Sequence, residues 1–149
     1  MKRLTALFFA VALFLLCACG TATQPFSPDL ADKLLEGGVF SEPLEPLDAE
    51  IACFLYQLDP GQTNLTDLRA YRSSGATCEE VAVLTFQTES DAAAALPVLS
   101  GYLAARLADC RDYMPNQVPK LEHADLTQRG NSILLLVAND WGNAAKLAQ

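Results

Sequence analysis

The sequence predicts an α+β fold: a largely antiparallel sheet of about four strands, with one long helix and shorter helices packed on it. Three observations carry this expectation. Apolar stripes at helical spacing and apolar runs of strand character succeed one another in the order α-β-(α)-β-α-β-β-α. Two strand segments are joined by Gly130-Asn131, a two-residue hairpin turn with Gly first. The helices come singly and not as crossovers of repeated βαβ units, which favours antiparallel pairing.

Taken in order, Ser27-Pro28-Asp29 reads as a helix start: Ser as cap, Pro at the first helical position, an acid in the first turn. Leu30, Leu34 and Leu35 form its apolar side and Gly37-Gly38 stops it. Ser41 to Asp48, with two prolines, is a polar loop. Ala49 to Leu58 is apolar on both alternating faces and predicts a central strand. Asp59-Pro60-Gly61 turns the chain. Asn64 to Tyr71 predicts a short helix capped by Asn64, and Ser73-Ser74-Gly75 a further turn. Cys78 to Phe86 is a second strand, with Val81 and Val83 on one face and Ala82, Leu84 and Phe86 on the other. Thr88 and Asp91 resemble a capping box and open the longest helix. Its stripe is Leu96, Leu99, Leu103, Leu107, Cys110 and Met114; Pro97 inside it should kink or break it. Met114-Pro115 ends the run. Leu121 to Gln128 and Ser132 to Ala138 are the two hairpin strands, the second an unbroken apolar run and so buried. Trp141 to Ala148 closes the chain as a short helix.

The N-terminus has a different character. Met1-Lys2-Arg3 precedes Leu4 to Leu16, in which Thr5 is the only polar residue. A basic start followed by a short apolar run is the pattern of a secretory signal, and a spanning helix would need about 20 apolar residues. Leu16-Cys17-Ala18-Cys19 then places Leu at −3, a small residue at −1 and Cys at +1 of a cleavage site, which resembles the lipobox of bacterial lipoproteins. The resemblance implies that signal peptidase recognises Leu16 and Ala18 and that the Cys19 sulfur carries diacylglycerol. Two acyl chains bind a bilayer stably where one binds only marginally, at about 0.8 kcal/mol per buried CH₂. The expected organisation is therefore a signal peptide over 1–18, a lipid anchor and tether over 19–27, and one α+β domain over 28–149. The lipid bilayer is a partner through Cys19, and the location is the extracytoplasmic face of the cell membrane.

Cleavage alters the composition. The chain of 149 residues is 51% hydrophobic and 19% charged, which excludes a disordered polymer, and carries a formal net charge of −8. Losing 18 residues leaves 131; it removes Lys2 and Arg3 but no acid, so 8 basic side chains face 18 acidic ones at net −10. Such a balance repels nucleic acid and anionic lipid alike.

Ser74-Gly75-Ala76-Thr77-Cys78-Glu79-Glu80-Val81-Ala82-Val83, then Tyr113-Met114-Pro115, then Arg129-Gly130-Asn131 before an apolar strand, occur in an order that resembles a domain-of-unknown-function family of small lipoproteins from Gram-positive bacteria. The likeness runs from about Leu30 to Lys146, with Cys78 standing where a small residue such as Ala is expected. It implies fold class and location and brings no activity or catalytic residue with it.

Candidate chemistry is sparse. With Cys17 discarded and Cys19 lipidated, Cys53, Cys78 and Cys110 remain, an odd number. Cys53 and Cys78, in the two early strands, form the candidate disulfide, although apolar neighbours favour buried thiols; Cys110 completes a helical stripe. His123 has no CxxC or HxxxH partner spacing for zinc and reads as an exposed strand histidine beside Glu122 and Asp125. Glu79-Glu80 should point to opposite faces of a strand, as solvated or edge acids. Tyr71-Arg72 and Tyr102-Arg106 pair an aromatic with a cation, the second at i, i+4. Trp141 suits a packed ring or an exposed anchor equally. No phosphate-binding, dinucleotide or serine-nucleophile motif is present. The residues thus specify no metal, no cofactor and no convergent catalytic set. The function expected is a non-enzymatic interaction domain binding an envelope protein or ligand; the alternative is a small-ligand or cation-binding module, though DxDxDG-type calcium spacing is missing.

Overall fold

Val81 to Phe86 and Ile133 to Val137 are apolar at nearly every position because both faces of the sheet they form are covered. The computed structural model describes residues 24–75 and 77–149. The expected signal peptide over 1–18, with Leu16 and Ala18, and the expected lipid-attachment residue Cys19 lie outside the described residues. The elements are α1 (Leu30–Glu36), β1 (Glu45–Leu47), α2 (Ala49–Tyr56), α3 (Pro60–Thr63), β2 (Leu65–Arg72), β3 (Glu80–Phe86) and α4 (Glu89–Tyr113). A 3₁₀ turn (Pro115–Gln117), α5 (Val118–Glu122), β4 (Asp125–Arg129), β5 (Ser132–Val137) and α6 (Trp141–Leu147) complete the chain.

The fold class is α+β, with an antiparallel sheet of five strands in the order β1-β2-β3-β5-β4. Val81, Val83, Leu134 and Leu136 face α1 and α6, against Leu30, Leu34 and Ala144. Ala82, Leu84, Phe86, Ile133 and Leu135 face α2 and α4, against Ala52, Tyr56, Ala95 and Leu99. A third cluster, Cys78, Cys110, Leu121 and Val137, closes one end.

Four expectations are corrected. Ala49 to Leu58 is not a strand but α2: Asp48 accepts from the Glu50 N–H at 2.8 Å to cap it, and Gln57 ends it in a left-handed conformation (φ 57°). Asn64 to Tyr71 is not a helix but β2, which pairs along its length with β3. The loop Ser41 to Asp48 contains the short strand β1; with β1 and β2 gained and the expected strand Ala49–Leu58 lost, the sheet has five strands where four were expected. Leu121 belongs to α5, so the first hairpin strand starts only at Asp125. The long helix, by contrast, follows the expected span; Thr88 caps it by accepting from the Asp91 N–H at 3.1 Å. Pro97 does not break it, and it lies on the exposed side.

The start of the described chain is pinned. Buried Phe26 donates its N–H to Ser132 Oγ at 2.7 Å, 106 residues away, and its ring lies 4.5 Å below the Arg129 guanidinium.

Candidate functional site

Glu79 and Glu80 point to opposite faces of the sheet, as neighbours on a strand must. They are not solvated: both are fully buried. Glu80 turns toward α2 and α4. Its Oε1 accepts from Tyr56 Oη at 2.6 Å, its Oε2 accepts from Tyr102 Oη at 2.8 Å, and Arg106 completes an ion pair with Oε2. The Tyr102 and Arg106 side chains, one helical turn apart, also stack with the guanidinium 5.8 Å from the ring centroid. Burial, then the Glu80 charge, pushes the Tyr56 and Tyr102 hydroxyls well above the usual phenol range. Burial works against the Arg106 charge, but Glu80, Tyr102 and Cys78 together hold its pKa above the ordinary guanidinium value. Glu79 turns the other way. It accepts from the Ser41 N–H at 2.8 Å and pairs with Lys120 Nζ at 2.5 Å, tying the loop after α1 to α5.

This end of the sheet is also hollow. A cleft of about 420 Å³ opens between β1, the β2–β3 loop and α4, lined by Arg72, Ser73, Thr77, Arg106 and Glu45 among others. Glu45, Arg72, Glu80 and Val137 form one cross-strand row beneath it. Arg106 is committed to Glu80, whereas Arg72 has no ion pair among the described residues. Ser73 and Thr77 donate to Glu42, the latter at 3.1 Å, so these hydroxyls close the loop.

The candidate disulfide is not formed. Cys53, Cys78 and Cys110 are buried free thiols; Cys53 sits in α2, while Cys78 shares its cluster with Cys110. Burial and then the neighbouring Cys110 push the Cys78 thiol up to about 11, and burial raises Cys53 as well. Neither thiol is activated as a nucleophile. His123 ends α5 and does not lie in a strand; its Nδ1 sits 2.7 Å from the Pro119 carbonyl, and its ring stacks on Trp141 at 4.2 Å and 15°. That contact resolves the two readings of Trp141 into one: a half-exposed ring packed on the histidine. Tyr71 donates to Asp32 Oδ1 at 2.8 Å, and Arg69 pairs with the same carboxylate at 3.0 Å; it is Arg69, not Arg72, that joins the tyrosine there. Among the described residues, no group of three or more His, Cys, Asp or Glu is placed to hold a metal ion, and no helix is long and apolar enough to cross a membrane.

A second feature lies at the other end of β2. Because Ala52, Cys53 and Tyr56 turn inward, α2 carries Ile51 and Phe54 outward, 54% and 83% exposed. Between α2 and β2 runs a groove of about 410 Å³, lined by Glu50, Cys53, Leu65, Asp67 and Leu68 with Ala49, Pro60 and Thr66. Residues Glu50, Cys53 and Phe54 fall on one flank of the helix at i, i+3 and i+4. Sequence reasoning misses this surface because the segment reads as a strand, although Asp48 before Ala49-Glu50 is a capping signal.

Comparison with known proteins identifies no relative: no family model, no curated protein and no solved structure matches the chain.

Proposed function

We propose that this chain is a membrane-anchored, extracytoplasmic lipoprotein whose folded domain binds another envelope protein and carries out no chemistry of its own. The lipobox pattern at Leu16, Ala18 and Cys19 supports the anchor, in keeping with the resemblance to small Gram-positive lipoproteins. The observation that carries the binding role is the exposure of Phe54 and Ile51 side by side on α2. Single exposed apolar residues are ordinary, but two adjoining ones beside an open groove form a surface that gains from being covered, with about 1.5–3 kcal/mol available from each large side chain buried. Exchanging both residues for alanine in the native lipoprotein is expected to leave its melting temperature unchanged. The same exchange should abolish chemical crosslinking to its neighbour in intact cells. Undiminished crosslinking in that variant would refute the binding role.

A second reading rests on the cleft over Arg72. An unpaired guanidinium in a hollow of about 420 Å³ favours a small anionic ligand, not a cation. Saturating acetate or phosphate should then raise the melting temperature of the wild type and leave Arg72→Ala unmoved.

A further inference from the structure

We infer that the open edge of β2 takes an extended, lysine- or arginine-bearing segment of the partner as an added strand, seated in the groove against α2. The inference rests on the binding role proposed for α2 and names the form its partner takes there.

The sheet itself supplies the first argument. β1 covers β2 only from Ala70 to Arg72, because Leu47 is followed by Asp48, which caps α2 and takes the chain away from the edge. Among the described residues, Leu65 to Arg69 therefore pair with β3 on one side and with no strand on the other. A row of main-chain donors and acceptors of this kind is a template for another strand. The bulge at Thr66, where the register shifts between Leu65 and Asp67, interrupts it only at its far end. The opposite edge of the sheet is unlike it: β4 lies beside α4, and Gln128 Nε2 donates to the Glu89 carbonyl at 3.0 Å.

The groove supplies the second. Its floor is apolar, from Cys53, Leu65 and Leu68, so alternate side chains of an added strand meet a hydrophobic wall. Its rims are acidic. Glu50 and Asp67 are exposed, and neither has an ion pair among the described residues, while the nearby Arg69 is neutralised by Asp32. With a domain at net −10 behind them, these two carboxylates favour a cationic partner and repel an acidic one.

The test uses the full lipidated protein in neutral detergent and two pools of fluorescent heptapeptides alternating Val, Leu or Thr with Lys, or with Glu. The Lys pool should bind at least about tenfold more tightly than the Glu pool, and Glu50→Lys with Asp67→Lys should remove that preference. Amide exchange at residues 65–68 should slow at least about tenfold on binding, and methylating the peptide backbone nitrogens should abolish both effects. Binding that Phe54→Ala removes, without slowed exchange at 65–68, overturns the added strand but leaves α2 as a binding face. Equal binding of the two pools, or of the N-methylated peptides, overturns the strand and its cationic character. Absence of binding by the Lys pool does so too, while crosslinking through Ile51 and Phe54 still decides the underlying role. Exchange that slows with protein concentration and not with peptide assigns the edge to a second copy of this chain and overturns the partner segment.

Discussion

The most consequential side chain is Glu80. A carboxylate taken wholly out of water survives there because two tyrosine hydroxyls and Arg106 replace its hydration. Glu80→Gln leaves the guanidinium of Arg106 without its counter-charge, and urea denaturation should show a loss of about 3–5 kcal/mol. Replacing the whole cluster, as Glu80→Leu with Arg106→Met, Tyr56→Phe and Tyr102→Phe, should cost markedly less than Glu80→Leu alone, because neither a charge nor a hydroxyl is then stranded. A second expectation concerns base. Cys78 loses its proton near 9 when unfolded but is pushed up to about 11 in the folded chain. Between those values the unfolded state holds fewer protons than the native state, so stability is intact below pH 9 and falls as pH rises through 11. The slope approaches about 1.4 kcal/mol per pH unit for this one group, and the tyrosines on Glu80 steepen it above pH 10. Midpoints that stay constant from pH 8 to 11 would contradict it. The opposite pointing of Glu79 and Glu80 is legible in the sequence from strand geometry alone. Their burial is not, since Arg106 and Lys120 lie 26 and 41 residues further on and nothing local announces them.

At the scale of elements, two neighbouring segments exchange their expected roles, for reasons that can be named. β2 looks helical because Leu65 and Leu68 stand three apart; the bulge at Thr66 inserts one residue and converts a strand's alternation into a helix-like interval. α2 looks like a strand because it is apolar around most of its circumference. One side packs on Ala82 and Leu84 while Ile51 and Phe54 face outward, so periodicity is erased by the very residues proposed to bind. The legible segments are those covered conventionally: α1 with its glycine stop, β3, β5 and the Gly130-Asn131 turn. The long helix is legible at its ends, through Thr88 and Met114, but its buried face is rotated from the leucine stripe toward Ala92, Ala95, Leu99 and Tyr102. Pro97 sits within it as a removable defect. Pro97→Ala restores a hydrogen-bond donor on the exposed side, and thermal unfolding should report a gain of up to about 3 kcal/mol.

Across the whole molecule, Phe26 and the groove proposed to bind fall at one end. Phe26 is held at Ser132, and Ser132, Thr85 and Asp67 follow one another across β5, β3 and β2 in a single row. The cleft over Arg72 lies five residues along the strands, about 17 Å away at roughly 3.3 Å per residue. On the proposed anchoring, a tether of residues 20–26 would reach at most about 25 Å, so the proposed partner of the groove would itself lie close to the bilayer. Cys19→Ser should strip the diacylglyceryl mass from the intact protein by mass spectrometry and move it from the membrane to the soluble fraction. Retention in the membrane at unaltered mass would refute the lipid anchor.

The clasp between Phe26 and Ser132 has a mechanical consequence. Under the proposed tethering at Cys19 and grip along β2, the protein would be pulled from two sides. The load enters the sheet at Ser132 and leaves near Asp67, running parallel to the hydrogen bonds, which in an antiparallel ladder stand perpendicular to the strands. Rungs strained in that direction break in succession and do not share the tension. The end near the tether should therefore peel first and at low force, while the Glu80–Arg106 end, five residues up the strands, holds to the last.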